Sequence, residues 1–134
     1  MKLCFVSTGG VVRGAMAQAI ARKISRDVLL NIQIYSAGVE PLPDVPQEVI
    51  QVLEEKGYPI EGIKPKGIEE IPYEEMDIII TLSPEARDRC PYVPSHKRRE
   101  HWMLEEIKDT NDLNALRRLR DQIEENVRSL FKIR

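Results

Sequence analysis

The sequence is most informative first for what it withholds. Two cysteines, Cys4 and Cys90, are too few for a disulfide framework. No charge of one sign dominates: the formal net charge is −2, which gives no support to nucleic-acid or membrane binding as a whole-chain property. The short basic runs Lys97-Arg98-Arg99 and Arg117-Arg118 read as solvated faces. No apolar run approaches the ~18 residues of a spanning helix. The N-terminal apolar run is too short for a secretory leader and is interrupted by glycine, so a cytoplasmic location is expected. Internal repeats and low-complexity segments are absent. What remains is a chain of 134 residues, 42% hydrophobic and 31% charged, expected to form one domain over 1–134 with a single buried core.

The stretch from Lys2 to Ile20 organises the rest. Leu3 to Val6 is a short apolar run of the kind that forms a buried strand. Ser7 to Val12 is a tight turn containing Gly9 and Gly10. Arg13 opens an alanine-rich helical pattern with Met16, Ile20 and Ile24 on one face. A strand feeding a glycine loop and then a helix aims successive backbone N–H groups at one point, where the helix N-terminus adds partial positive charge. Arg13 adds a planar fork of donors suited to a tetrahedral oxyanion. Thr8, Gly9, Gly10, Val11, Val12, Arg13 and Gly14 are therefore the candidate ligand-binding residues, for phosphate, sulfate or a similarly shaped anion.

Further along, Val28 to Tyr35 reads as a second strand, closed by Ser36-Ala37-Gly38. Three prolines then interrupt regular structure until a helix over Gln47 to Lys56, stopped by Gly57. Tyr58 to Tyr73 is a loop-rich crossover carrying Lys64 and Lys66. The run Asp77 to Leu82 is apolar through its centre, as a strand buried on both faces would be. Ser83 to Cys90 is a turn into a short helix, Arg99 to Trp102 a fourth strand, and Leu104 to Asn111 a polar loop. From Asp112 to Phe131 the apolar residues recur at three and four, marking a long amphipathic helix. Strands alternating with helices predict an α/β fold: three layers, with a four-stranded parallel sheet covered by helices on both faces and the glycine loop at its carboxyl edge.

The spacing of Ser7, five residues and Arg13 resembles the loop of the low-molecular-weight protein tyrosine phosphatases and of their relatives, the thioredoxin-coupled arsenate reductases. Ser36-Ala37-Gly38, Val52 to Gly57, Asp77 to Pro91 and Arg99 to Trp102 extend the resemblance over nearly the whole chain, the last two towards the reductase branch. The resemblance implies a cysteine nucleophile where Ser7 stands, a serine where Gly14 stands, and an asparagine where Gly10 stands. It implies reductase cysteines where Ser83 and Cys90 stand, making these the redox candidates. The general acid of an Asp-Pro pair falls on Glu106, followed here by Ile107. The implied catalytic residues are thus Ser7, Arg13 and Glu106. No cofactor and no metal are implied, and the implied partners are a phosphate-, sulfate- or arsenate-like anion and, more widely, a phosphorylated protein.

The chemistry gives these departures weight. Family enzymes attack with a thiolate, and an alcohol has a far higher pKa. No histidine or lysine stands in the loop to act as a base for Ser7. His101 is open to two readings, an active-site group or a hydrogen-bonded strand residue. Cys4, inside the first strand, reads as a small buried hydrophobe. Lys64, Lys66, Tyr92 and Trp102 are expected to line the wall of the site. The reading that follows is an oxyanion-binding member of the family, impaired as a catalyst. Two alternatives stand beside it: an active phosphatase or arsenate reductase carrying an engineered cysteine-to-serine change, and a protein-interaction module on the same fold.

Overall fold

The computed structural model describes residues 1–133. Its strands are Lys2–Ser7 (β1), Gln33–Gly38 (β2), Ile78–Thr81 (β3) and Arg98–His101 (β4). They form one sheet in the order β2-β1-β3-β4, and every neighbouring pair is parallel. The chain leaves β1 towards β2 on one side and later returns to β3 on the other. The carboxyl end of β1 is therefore a switch point, where α/β sheets open a crevice.

Alternation along β1 divides the core. Leu3 and Phe5 point to one face, which is covered by helices Arg13–Asp27 (α1), Gln47–Glu54 (α2) and, after the six-residue Pro84–Arg89 (α3), Leu113–Leu130 (α4). Cys4 and Val6 point to the other face, covered by α3 and the single helical turns Ile68–Glu70 and Tyr73–Glu75. The apolar stripe of α4, Leu116, Leu119, Ile123 and Val127, is fully buried against the first face. Truncating any of the larger of these to alanine would cost about 2–5 kcal/mol. Arg120 sits in the same helix with its guanidinium buried. It donates to the Val52 carbonyl of α2 at 2.9 Å and to Glu55 Oε1 at 2.8 Å, so a cation closes the C-terminal end of α2.

The helix after Gln47 ends at Glu54 and the fourth strand is shifted to Arg98–His101, but the boundary that moves furthest from the sequence reading is the start of β2. Val28 to Ile32 lie outside β2, because α1 runs to Asp27 and ends in a turn where Leu29 takes a positive φ of 60°. The Leu30 N–H reaches back to the Ser25 carbonyl at 2.8 Å, satisfying a helix-end carbonyl. The apolar run Val28-Leu29-Leu30 is thus a helix exit, with Leu29 90% exposed.

Candidate functional site

The loop after β1 owes its shape to the chain that follows β2. The carbonyls of Ser7, Thr8 and Gly9 accept hydrogen bonds from the N–H groups of Val39, Glu40 and Leu42 at 3.0, 2.8 and 3.0 Å. This fixes the loop's acceptors on one side. The N–H groups of Thr8, Gly9, Val11, Val12 and Arg13 find no acceptor among the described residues. Gly10 makes the turn at φ +73°, in the region where a side chain is strained. Gly38 is required for a different reason, close approach. A Cβ there would lie 2.9 Å from the Thr8 carbonyl oxygen and the Gly9 carbonyl carbon, and 3.0 Å from the Gly10 nitrogen.

Helix α1 begins at Arg13 without any side-chain cap, whereas Ser83 caps α3 and Asp112 caps α4. Its first-turn donors and its dipole are thus directed at the loop, with no acidic residue in that turn to answer them. The result is a cavity of about 260 Å³ lined by Ser7 to Arg13 together with Glu40, Leu42 and Ile107. Ser7 forms its floor, 2% exposed, and its Oγ accepts the Gly10 N–H at 3.1 Å. Burial pulls the Arg13 guanidinium below its ordinary pKa, and the carboxylates of Glu85 and Glu106 push it back up. Arginine starts high enough to stay charged throughout.

Gly14 does not line the cavity. It packs beneath the loop, where a Cβ would stand 2.7 Å from Ser7 Oγ and 3.1 Å from Ser36 Oγ. The expected wall is also corrected. Lys64 and Lys66 face a separate cavity on the far side of α1 and β2, and Tyr92 is 77% exposed. Trp102 packs on Phe5 with ring centroids 5.5 Å apart. The wall is instead Glu40, Leu42 and Ile107. Glu106 is exposed beside it, close enough for its charge to reach Arg13 but outside the lining. Glu40 is tethered at the rim by a 2.5 Å ion pair with Arg89.

Ser83 and Cys90 part company. Ser83 is buried next to the loop: its Oγ lies 2.8 Å from Thr8 Oγ1 and accepts the Ala86 N–H of α3. Thr8 also donates to Glu85 at 3.2 Å. Cys90 lies on the other face of the sheet, its Sγ 2.6 Å from the Tyr73 hydroxyl. Burial raises its pKa, with the Tyr73 hydrogen bond and Arg99 acting against that rise. Burial pushes the Cys4 thiol up still further. Both sulfurs are therefore held as neutral thiols and neither lines the cavity. His101 hydrogen-bonds through Nδ1 to Thr81 Oγ1 at 2.8 Å, and His96 through Nε2 to the Tyr73 carbonyl at 2.7 Å, so both are engaged within the fold. No cluster of histidine, cysteine and acidic groups suited to a metal occurs among the described residues.

Known proteins resemble this chain along nearly its whole length. An arsenate reductase of Staphylococcus xylosus is 29% identical over 130 residues, spanning 97% of this chain and 95% of the relative. That of Bacillus subtilis is 33% identical over 98 residues, spanning 73% of this chain and 68% of its own length. Among solved structures, an arsenate reductase in an oxidized state superposes with a TM-score of 0.83 at 28% identity, covering 98% of this chain and 96% of that one. An arsenate reductase in its phosphate binding state gives 0.79 at 28% identity, covering 99% and 98%. The model of the low molecular weight phosphotyrosine protein phosphatases matches residues 2–133. With a parallel four-stranded sheet, the loop at its switch point and a family match over that span, the chain belongs to the low molecular weight phosphotyrosine protein phosphatase family.

Proposed function

We propose that this protein binds phosphate, sulfate or an arsenate-like oxyanion in the Ser7–Arg13 loop and is impaired as a catalyst. The observation that carries the proposal is the set of loop N–H groups without acceptors, converging with Arg13 at an uncapped helix start. A tetrahedral dianion supplies the missing acceptors: its oxygens take the amides, and the Arg13 fork donates to two of them in parallel. The related arsenate reductase solved in a phosphate binding state supports the same ligand class.

Impairment follows from the floor and walls of the cavity. Ser7 presents a hydroxyl where the resemblance implies a thiolate, and no histidine or lysine lines the cavity to take its proton. Both thiols are buried and neither lines the cavity, so no thiol faces a ligand held in the loop. A neutral hydroxyl also does not repel a dianion as a thiolate does. The cradle therefore keeps the ligand and loses the attacking charge. Glu106, beside Arg13, is the carboxyl that would supply any residual acid function.

Phosphate titration followed by backbone amide shifts tests the binding. Saturable shifts confined to Thr8 through Ala15 are expected. An unresponsive loop at millimolar phosphate overturns the proposal and favours an interaction module on this fold.

A further inference from the structure

A second concave site lies on the opposite side of α1. It is a cavity of about 460 Å³ between that helix, the outer edge of β2 and the segment around Gly62 to Lys66. Four cations line it, Arg22 and Arg26 one turn apart on α1 and Lys64 and Lys66 facing them, and its lining contains no carboxylate. None of the four forms an ion pair among the described residues, although the chain as a whole is net negative. Arg22 reaches only the Glu61 carbonyl, at 3.3 Å. Burial and the adjacent Arg26 charge hold its guanidinium below its ordinary pKa, a repulsion that a bound anion would relieve.

The neutral groups of the cavity point the same way. Ser36 is 7% exposed and lines the cavity, with its Oγ turned towards Gly14 of α1, so its main chain is the part offered to the edge. The Gln33 N–H points inwards to the Met1 carbonyl and the Gly38 N–H outwards to the Lys66 carbonyl at 2.8 Å. Alternation along β2 then turns the N–H groups of Ile34 and Ser36 outwards, towards the cavity. An added peptide strand fits poorly, because Gln18 Nε2 already occupies the Ile34 carbonyl at 3.2 Å and Lys66 occupies Gly38. A volume of 460 Å³ exceeds what one tetrahedral anion fills and falls in the range of small-molecule sites.

We propose that this cavity is a second binding site, for a small molecule carrying at least two phosphoryl groups. One group lies between Arg22 and Arg26, and the other between Lys64, Lys66 and the Ser36 N–H. The four charges provide the attraction, and the edge donors provide the geometry.

Inorganic pyrophosphate is the probe, titrated into the full chain carrying Arg13→Ala so that the Ser7–Arg13 loop does not compete. Saturable amide shifts at Ile34, Ser36, Gly62 and Lys66 are expected, weakening steeply with salt. The double change Lys64→Ala, Lys66→Ala, in exposed loop positions, should weaken this binding about tenfold. Should the Arg13→Ala chain fail to fold, the unaltered chain serves, since the two groups of amides are read separately. Absence of saturable shifts at the β2 edge at millimolar pyrophosphate overturns the proposal. So do shifts that survive the double lysine change at undiminished affinity. Neither result bears on phosphate binding by the Ser7–Arg13 loop.

Discussion

Replacing Gly38 with alanine tests whether the strand behind the loop sets the loop's shape. Gly38 carries no unusual φ, so the substitution introduces volume and not backbone strain. The new Cβ would meet backbone atoms of Thr8, Gly9 and Gly10 at 2.9 to 3.0 Å. Relaxing to an ordinary contact of 3.4 Å requires the loop to move by about 0.5 Å, and no flexible side-chain end is available to yield instead. Overpacking of this kind costs about 1–3 kcal/mol. For a chain of this size that is a fall in Tm of roughly 3–15 °C. Binding suffers separately, because the shifted residues carry the donors. Loss of one charge-assisted hydrogen bond, about 1.5–3 kcal/mol, weakens phosphate binding roughly 10- to 150-fold. The assay is a thermal melt paired with calorimetric phosphate titration on the same preparation. Gly57→Ala is the control: Gly57 has φ +73° with nothing within 4 Å of its Cβ position, so it loses stability through backbone strain and leaves phosphate binding alone. A Gly38→Ala protein that binds phosphate as tightly as the unaltered chain would refute the reasoning.

Arg13→Ala should weaken phosphate binding by about 1.5–3 kcal/mol, and Arg13→Lys should recover only part of this because the ammonium lacks the fork; equal affinity of the lysine variant and the unaltered chain, by calorimetry, would contradict a bidentate contact. Hydrolysis of aryl phosphates and thiol-dependent arsenate reduction should both be negligible, and steady-state turnover within tenfold of roughly 10 s⁻¹ would show that Ser7 is no impediment. Stability should fall in acid through Glu55. Its hydrogen bonds with Arg117 and then Arg120 hold its pKa at about 2, against an ordinary 4.5. The folded pKa lies below the unfolded one, so this contribution is complete above about 4.5 and is lost as pH falls towards about 2. Glu55→Gln should flatten that acid limb in a series of melts between pH 2 and pH 6; an unchanged limb would remove Glu55 from the account.

Much of the loop was legible because its information is local. Strand, Gly9-Gly10, Arg13 and helix follow one another within twenty residues, and each states its own conformational need. The parallel sheet was legible for a similar reason, since the apolar centre of Ile78 to Leu82 leaves no solvent face. The wall was not. Glu40 and Leu42 reach the cavity only because their backbone pairs with the carbonyls of Thr8 and Gly9, a contact made across some thirty residues of chain. The signal was present in Gly38, whose missing side chain marks a close crossing of two backbones, but a lone glycine does not name its partner. Lys64 and Lys66 were placed on the wrong cavity because linear order says nothing about which side of α1 a crossover loop takes. The β2 boundary failed because Val28-Leu29-Leu30 has strand-like composition, and a left-handed leucine ending a helix is rare enough that no pattern predicts it.

The packing under the loop couples positions 7 and 14. With Ser7 in place, a serine at position 14 would drive its Cβ against Ser7 Oγ, and Ser7 would have to rotate off the Gly10 N–H to make room. Such a side chain thus disturbs the floor of the loop. A thiol returned at position 7 alone would regain the nucleophile's identity while lacking the neighbouring hydroxyl that the family resemblance implies at 14. Positions in such close contact do not contribute independently, so the effect of a side chain at 14 depends on the residue at 7.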